Sequence, residues 1–310
     1  MPETSVFTIF GSGFGMYGYL PALIERGIRV ALPERYRAVV GGRSELAQYL
    51  PRVIWCVDTE AALDQANGAV VALRPADQAE WMARLAERPD IRDLILEKPV
   101  APEPRLAAQL LESFERAGKR YRVGYTFRFM PWAERLRAAV AEGGSGLSLD
   151  WSFMAHHYRA GLDNWKRFDA SGGGALRFYG IHMIALLSEL GYDDVASSVV
   201  TGPSDAETAS WRAELTARGL PPFALRVDSR ATQTCFRIAA DGRATGNSAI
   251  VDQLDPFASV RQASVNVRDP RVDVLARLCD SLAEADADHA QRQRSIIALW
   301  ARIEARSRRV

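Results

Sequence analysis

The chain has 310 residues, of which 48% are hydrophobic and 25% are charged, and its formal net charge is +1. These values are ordinary for a globular protein of about two domains, and they give no electrostatic reason to expect a nucleic acid or an anionic membrane as partner. Cys56, Cys235 and Cys279 show no CxxC or metal-type spacing, so we expect reduced thiols in a cytoplasmic protein.

Residues 4–24 carry no charge, but they include Pro21 and four glycines and lack a basic segment at their start. This composition is atypical of a membrane-spanning helix or a signal peptide. We therefore interpret the stretch as a buried strand, residues 6–10, followed by a glycine turn and a helix.

Glycines placed where a strand becomes a helix permit a tight turn and let backbone N–H groups approach a pyrophosphate. Two registers of the glycine pattern overlap, one from Gly11 to Met16 and one from Gly13 to Gly18. The first register fits the strand end better, and it leaves Met16 where a small residue normally allows close packing of helix on strand. The residues predicted to bind a dinucleotide in this turn are Gly11, Gly13, Phe14 and Gly15.

The sequence predicts a second strand over residues 36–40, followed by Arg43 and by Ser44 as the cap of a helix that begins at Glu45. In dinucleotide-binding folds the second strand normally ends in an Asp or Glu that accepts a hydrogen bond from the ribose 2′-hydroxyl of NAD. No carboxylate stands at this predicted strand end. The Arg43 guanidinium and the Ser44 hydroxyl suit a 2′-phosphate, so we predict NADP(H) as the preferred cofactor, with NAD(H) as the alternative.

Predicted strands and helices then alternate as far as about residue 125. The strands are residues 54–57, 69–73, 93–96 and 121–125, and the helices are residues 59–66, 77–87 and 104–117. Because such crossovers are right-handed, the series predicts a parallel sheet with helices on both faces. Residues 1–122 are thus predicted to form a Rossmann-type dinucleotide-binding domain.

Residues 123–310 follow a different pattern, which predicts an α+β domain with a largely antiparallel or mixed open sheet. Its predicted helices are residues 131–142, 172–190, 271–285 and 290–306. Its predicted strands are residues 147–158, 210–215, 223–227, 234–238 and 248–254.

Four segments carry a resemblance to a known family. They are the glycine turn with Leu20-Pro21-Ala22-Leu23, the triplet Glu97-Lys98-Pro99, residues 123–129, and the glycine run of residues 172–174 through His182. In their order and spacing they resemble the Gfo/Idh/MocA family of NAD(P)-dependent oxidoreductases, whose members act mainly on sugars and cyclitols. The resemblance covers residue 6 to about residue 190.

The resemblance implies roles for several residues. Lys98 would lie beside the nicotinamide and hold the reacting oxygen, with Glu97 also at the cofactor. Arg74 and Pro75, after the fourth strand, would lie beside the pyrophosphate or the nicotinamide ribose. His182 matches the acid/base histidine of the family, and an imidazole can accept and return a proton near neutral pH.

The chain departs from the family pattern beside this histidine. Phe178 stands where the family usually has an aspartate, and Ala185 where a second acid is common. Three alternatives follow: Tyr179 supplies the missing hydrogen-bonding group and shares the catalytic role, Lys98 and His182 work as a pair, or the protein is not a conventional dehydrogenase.

Cationic and aromatic residues are predicted to line the substrate pocket and to suit an anionic, sugar-like molecule. These residues are Tyr125, Arg128, Trp165, Lys166 and Arg177. His156 and His157 are neighbours on a predicted strand and would point to opposite faces, so we predict no metal site.

The sequence therefore predicts an NADP(H)-dependent oxidoreductase that transfers hydride to or from a carbinol or ketone carbon of a sugar, a cyclitol or a sugar-nucleotide-like molecule. We expect reduction rather than oxidation. The alternatives are a glycosidase or eliminase that uses bound NAD transiently, and a regulatory NAD(P) sensor without turnover. The resemblance further implies that the second-domain sheet associates with a second copy, in a homodimer or homotetramer.

Overall fold

The computed structural model describes residues 5–242, 246–263, 269–285 and 287–310. The chain divides into two compact units. The first comprises Met1–Val100, Gln109–Thr126 and Val260–Ala287, and the second comprises Ala101–Ala108, Phe127–Ser259 and Asp288–Val310. This division differs from a single boundary at residue 122, because residues 260–287 return to the first unit. An amphipathic sequence predicts a helix but does not reveal which unit that helix packs on.

Six parallel strands form the sheet described in the first unit. They are β1 (Val6–Phe10), β2 (Arg29–Pro33), β3 (Val53–Cys56), β4 (Gly68–Val71), β5 (Asp93–Leu96) and β6 (Arg120–Val123), in the order β3-β2-β1-β4-β5-β6. Every residue of β1, β4 and β5 is buried, as expected of strands covered on both faces. The strand order reverses between β1 and β4, and open α/β sheets bind ligands at such a point.

Short helices and helical turns connect these strands. The helices are α1 (Leu20–Glu25), α2 (Arg37–Gly41), α3 (Thr59–Asp64), α4 (Pro75–Glu87) and α5 (Pro104–Arg116). A π-helical turn, Gly15–Tyr19, leads into α1, and Ala47–Arg52 is a 3₁₀ turn.

The second strand was predicted wrongly. The strand lies earlier, at Arg29–Pro33, while Glu34–Tyr36 and α2 are helical. Tyr36 and Val40 are four residues apart and both buried, which is the spacing of one helix face rather than of a strand. The predicted helix at Glu45 is also absent from the described residues: the 3₁₀ turn begins at Ala47, so Ser44 caps no helix there.

The second unit contains a seven-stranded mixed sheet. Its strands are β7 (Leu147–Met154), β8 (Asp194–Thr201), β9 (Ser210–Thr216), β10 (Phe223–Asp228), β11 (Arg230–Gly242), β12 (Gly246–Gln253) and β13 (Ser307–Arg309), in the order β12-β11-β7-β10-β9-β8-β13. The β7–β10 and β8–β13 pairs are parallel and the others antiparallel. The predicted fold class, a Rossmann-type domain followed by an α+β domain with a mixed sheet, is confirmed.

The remaining helices are α6 (Pro131–Glu142), α7 (His156–Arg159), α8 (Ile181–Glu189), α9 (Ala258–Ala263), α10 (Val272–Ser281) and α11 (His289–Arg306). Helix α10 lies in the first unit and packs on α1. A second π-helical turn, Ala175–Gly180, precedes α8 and packs closely on β9, because a Cβ at Gly180 would lie 2.6 Å from the Trp211 ring. The predicted strand of residues 147–158 ends at Met154, so His156 and His157 lie on α7 and not on a strand.

Candidate active site

The glycine turn follows β1 directly. Gly11 has φ +114°, and a Cβ there would lie 2.2 Å from the carbonyl oxygen of Ala72, so only glycine fits between the ends of β1 and β4. A Cβ at Gly15 would lie 2.9 Å from Ile9, whereas Met16 is fully buried. Gly15, rather than the residue at the Met16 position, therefore gives the close packing of helix on strand.

Gly13 differs from these glycines. A Cβ at Gly13 would meet no atom within 4 Å, and its φ lies outside the left-handed region. Nothing in the described chain therefore requires glycine at this position. A glycine at the tip of a strand-to-helix turn lets a pyrophosphate approach the backbone. The residues of the turn thus fit a dinucleotide.

Residues that follow β2 set the environment of the adenosine ribose in this kind of fold. The residue that follows Pro33 is Glu34, whose carboxylate is exposed and lies 2.5 Å from Arg37 Nε. Arg43 does not follow a strand. Its guanidinium carbon lies 4.8 Å from the centre of the Tyr17 ring, just beyond the glycine turn, and its Nε lies 2.7 Å from Glu45. Ser44 is exposed in a turn.

Arg74 and Pro75 open α4, as its N-cap and first residue. Proline suits this position, because the N–H that it lacks would have no acceptor within the first turn of a helix. Their predicted contact with the cofactor stays a prediction.

Glu97, Lys98 and Pro99 follow β5, at the carboxyl edge of the sheet, and the Lys98–Pro99 peptide bond is cis. Glu97 Oε1 accepts a 2.6 Å hydrogen bond from the Tyr19 hydroxyl, and Oε2 accepts from the Lys98 backbone N–H at 3.3 Å. Burial raises the pKa of the Glu97 carboxyl, and burial together with the Glu97 charge raises the pKa of Tyr19. Since both carboxylate oxygens bind protein donors, the structure favours Glu97 as a support for the Lys98 loop over the predicted role of cofactor ligand.

His182 lies on α8 in the second unit, 7% exposed, and its ring stacks on Phe127 at 4.6 Å with an interplanar angle of 18°. Phe127 is fully buried and also packs against Trp132 and Trp151. The imidazole is therefore held by the aromatic core of this unit.

The π-helical turn before α8 brings together Tyr179, Phe178 and the segment containing Trp165 and Lys166. The Phe178 ring lies 5.2 Å from Trp165, 4.8 Å from Tyr179 and 5.3 Å from Lys166 Nζ. The segment is docked on the glycine run, because a Cβ at Gly173 would lie 2.4 Å from the Trp165 carbonyl oxygen. Burial raises the pKa of the Tyr179 hydroxyl.

Arg177 was predicted to steer a substrate anion. Its guanidinium instead forms two bonds to Glu304, of 2.7 and 2.8 Å, and donates to the carbonyl oxygens of Pro102 and Asp169. All three of its nitrogens are engaged within the protein, so the structure gives Arg177 a structural role.

The other two predicted substrate residues are Tyr125 and Arg128. Tyr125 is 3% exposed, and Arg128 pairs with Glu189 at 3.4 Å. Their role in substrate binding stays a prediction.

Sequence reasoning missed Arg271, and it considered His157 only as a metal ligand. Arg271 precedes α10, forms two bonds to Asp269 and lies 4.5 Å from the Phe14 ring in the glycine turn. His157 is 3% exposed and stacks on Tyr179 at 6.3 Å; burial and the charges of Lys166 and Arg167 lower its pKa to about 4. Arg271 carries no local sequence signal, and the neighbours of His157 in the sequence, which include His156 and Arg159, do not indicate its burial.

No family model matches the chain. A curated relative, oxidoreductase cns1 of Cordyceps militaris, is 25% identical over 221 residues. The match covers 65% of this chain and 26% of the relative, so the chain spans about a quarter of the length of that protein.

Two solved structures are similar over nearly the whole chain. The WlbA dehydrogenase from Bordetella pertussis, in complex with NADH and UDP-GlcNAcA, is 15% identical with a TM-score of 0.72, covering 98% of this chain and 96% of that one. KijD10, a 3-ketoreductase from Actinomadura kijaniata in complex with NADP and TDP-benzene, is 15% identical with a TM-score of 0.71, covering 99% and 98%.

Two further observations concern the described residues alone. Among them, no helix has the length and apolar character that crossing a membrane requires. They also contain no group of three or more His, Cys, Asp or Glu side chains that could hold a metal ion. At the level of the fold, the chain is similar to these two solved structures over nearly its whole length.

Proposed function

We propose that the protein is a nicotinamide-dinucleotide-dependent oxidoreductase that acts on a carbinol or ketone carbon of a sugar-like substrate. The observation that carries the proposal is Gly13, a glycine that the chain itself does not require, at the switch point of a Rossmann-type sheet. The similarity to oxidoreductase cns1 and to structures that hold NADH or NADP supports it.

In this proposal, Lys98 and His182 have different roles toward the substrate oxygen. When bound, a nicotinamide supplies hydride transfer. The Lys98 ammonium holds the oxygen and stabilises negative charge on it, and the His182 imidazole takes up or returns its proton. Phe178 cannot replace the usual acid. Because Tyr179 stacks on the neutral His157 and has a raised pKa, it serves as a hydrogen-bond donor and not as a base.

The preferred cofactor is inferred again from the observed strand. The predicted preference for NADP(H) required Arg43 at the end of the second strand, but that strand ends at Pro33 and Glu34 follows. A carboxylate at this point accepts from a ribose 2′-hydroxyl and repels a 2′-phosphate. We therefore propose NAD(H) as the preferred cofactor, with Arg43 as the residue that would support NADP(H).

We further propose an anionic substrate. Lys166 lies against the Phe178 ring, where a family acid would add negative charge, and the nearby Glu207 is bound to Arg167 at 2.8 Å. Lys166 thus places a cationic group beside an aromatic ring in this segment. A sugar that carries a carboxylate or phosphate fits this charge and the aromatic rings beside it.

A binding titration with NADH and NADPH tests the proposal. In the Gly13→Ala variant the added methyl meets no protein atom, so we expect unchanged thermal stability and at least tenfold weaker dinucleotide binding, about 1.4 kcal/mol. Gly41→Ala is the matched control, since its Cβ would make only an ordinary 3.5 Å contact with Leu50. No binding of either dinucleotide to the unaltered protein would overturn the proposal.

The non-conventional alternative rests on Phe178, which replaces the usual acid. A sensor would bind the dinucleotide and show no substrate turnover, and its biological activity would survive Lys98→Ala and His182→Ala. An enzyme would lose turnover in both variants while it still bound the cofactor.

A further inference from the structure

Gln78 is a polar residue on the apolar face of α4. With Met82 and Leu85 it follows the i, i+4, i+7 spacing of one helix face, and all three side chains are buried. Gln78 is 0% exposed. Glutamine is rarely buried so completely unless its amide is bound.

The Gln78 amide binds the loop that carries Lys98. Nε2 donates to the carbonyl oxygens of Glu97 at 2.6 Å, Pro99 at 3.2 Å and Val100 at 3.1 Å. Three converging acceptors fix the orientation of the amide, because an oxygen in that place would face three carbonyl oxygens. Oε1 is buried and has no hydrogen-bond partner among the described residues. An unsatisfied buried acceptor costs stability, so packing alone does not explain a glutamine here.

The contacts surround Lys98. Its preceding carbonyl and that of the following residue bind Gln78, and its own N–H binds Glu97 Oε2. Glu97 is held in turn by the Tyr19 hydroxyl. The backbone on both sides of Lys98 is therefore fixed by α4 and by the end of the π-helical turn.

We propose that Gln78 is a positioning residue for Lys98: its amide fixes the backbone of Glu97-Lys98-Pro99 so that the ammonium is held where the substrate oxygen reacts. This inference rests on the proposed function. A misplacement of about 1 Å at a reacting group lowers rates by roughly 100-fold. The hydrogen bonds of the Gln78 amide go to residues 97, 99 and 100, and not to the glycine turn that is proposed to bind the dinucleotide.

The variants are Gln78→Met, which keeps the chain length, and Gln78→Glu, which keeps the shape without the amide donors. We expect each to lower kcat by about 10- to 100-fold, and to change the Kd for NADH and the substrate KM less than threefold. The matched control is Gln109→Met, on the exposed face of α5.

A second measurement does not depend on turnover. The chain has only three lysines, Lys98, Lys119 and Lys166, so reductive ¹³C-methylation gives three side-chain signals that Lys→Arg variants assign. In both Gln78 variants we expect the Lys98 signal to split, broaden or change its titration midpoint, while the Lys119 and Lys166 signals stay in place. Lys119 Nζ binds the carbonyl oxygen of Ile91 at 2.7 Å and reports on general loss of structure.

An unchanged Lys98 signal together with unchanged kcat would overturn the inference. A parallel change in all three lysine signals would also overturn it, since it would show a general structural role. Failure of the proposed function is a separate result: the unaltered protein would then show no dinucleotide binding or turnover, while the Lys98 signal would still answer the question about Gln78.

Discussion

The Tyr19 hydroxyl donates a 2.6 Å hydrogen bond to Glu97 Oε1, and this bond joins the helical turn after the glycine turn to the loop of Lys98. Gly124 makes room for the pair, since a Cβ there would lie 2.9 Å from Glu97 Oε1 and 3.0 Å from the Tyr19 oxygen. A larger residue at position 124 would push the two apart. One part-buried hydrogen bond thus joins the glycine-turn helix to the loop of Lys98, to which the proposed function assigns the cofactor and the substrate oxygen.

The half-buried Glu97 carboxyl predicts a pH effect on stability. Its folded-state pKa is raised, so the native state holds the proton more tightly than the unfolded state, and this contribution is lost as pH rises from about 4.5 through the raised value. Glu97→Gln removes the titration and keeps an acceptor for Tyr19. We expect the free energy of unfolding of the variant to equal that of the unaltered protein near pH 4. At pH 8 it should be higher than that of the unaltered protein by about 1 kcal/mol.

Urea unfolding at several pH values measures this difference. Glu112→Gln, on the exposed face of α5, is the control and should give a flat difference curve. A flat curve for Glu97→Gln as well would contradict the assignment of a raised pKa to Glu97.

Cofactor choice is predicted to depend on Glu34. Glu34→Ala removes the carboxylate next to the expected 2′-position, and we expect the ratio of NADPH to NADH affinity to rise about tenfold, equivalent to about 1.4 kcal/mol. Arg43→Ala should lower that ratio only if the Arg43 guanidinium reaches a 2′-phosphate. Fluorescence titrations with both cofactors measure the ratio, and a ratio that responds to Arg43 and not to Glu34 would restore the NADP(H) prediction.

Substrate charge is predicted to be recognised by Lys166. In Lys166→Gln we expect the KM of an anionic sugar substrate to rise about tenfold, a loss within the range of one charged hydrogen bond, while the KM of its neutral analogue stays unchanged. Raising the salt concentration should mimic the variant in part. Arg159→Gln is the control, because this exposed cation of α7 binds only the Met154 carbonyl oxygen among the contacts described for it. Equal losses for charged and neutral substrates would contradict the role of Lys166.

The sequence predicted the fold class and most strands, but it misplaced β2 and did not predict β8 and β13. Strand β5 was predicted at its observed bounds because it is a short apolar run, and helix α6 because its apolar residues follow helical spacing. Val30, Ala31 and Leu32 form an equally apolar run, but the Tyr36–Val40 stretch is richer in β-branched and aromatic residues and misled the assignment. That error placed Arg43, and not Glu34, at the end of the second strand.

Residues that act through long-range contacts were beyond reach of local patterns. Arg271 reaches the Phe14 ring from more than 250 residues along the chain, and nothing near it in sequence marks that contact. Gln78, by contrast, could have been found, since a glutamine in line with Met82 and Leu85 breaks an apolar face.

We predict that Arg309 stabilises the segment around Asp169, which precedes the glycine run of residues 172–174. Arg309, in β13, binds Asp169 at 2.8 Å and the carbonyl oxygens of Ser204 and Glu207. Burial raises the pKa of Asp169, while the positive charges of Arg309 and Arg177 lower it. Removing the Arg309 guanidinium therefore leaves a partly buried carboxylate with one charge partner fewer. We expect Arg309→Ala to lower the free energy of unfolding by about 2 kcal/mol. Arg308→Ala, on the same strand but exposed, should change it by less than about 0.5 kcal/mol; equal effects would contradict the prediction.

We predict that the open face of the second sheet binds a second copy of the chain through its charged side chains. A groove of about 720 Å³ on this face is lined by Asp150, Arg212, Arg226 and Arg237, which stand in register on neighbouring strands. Arg226 binds Asp150 at 3.1 Å and Asp228 at 2.9 Å, whereas its neighbour Arg212 on β9 is a second cation, so the face carries both signs. A two-fold contact over such a row is self-complementary only while the signs stay paired.

Arg226→Glu reverses one sign per copy, and we expect it to shift the protein from dimer to monomer in light scattering. High salt should have the same effect on the unaltered protein. Arg218→Glu, in an exposed turn of the same unit, should leave the mass unchanged; a dimer that tolerates both substitutions must use another surface.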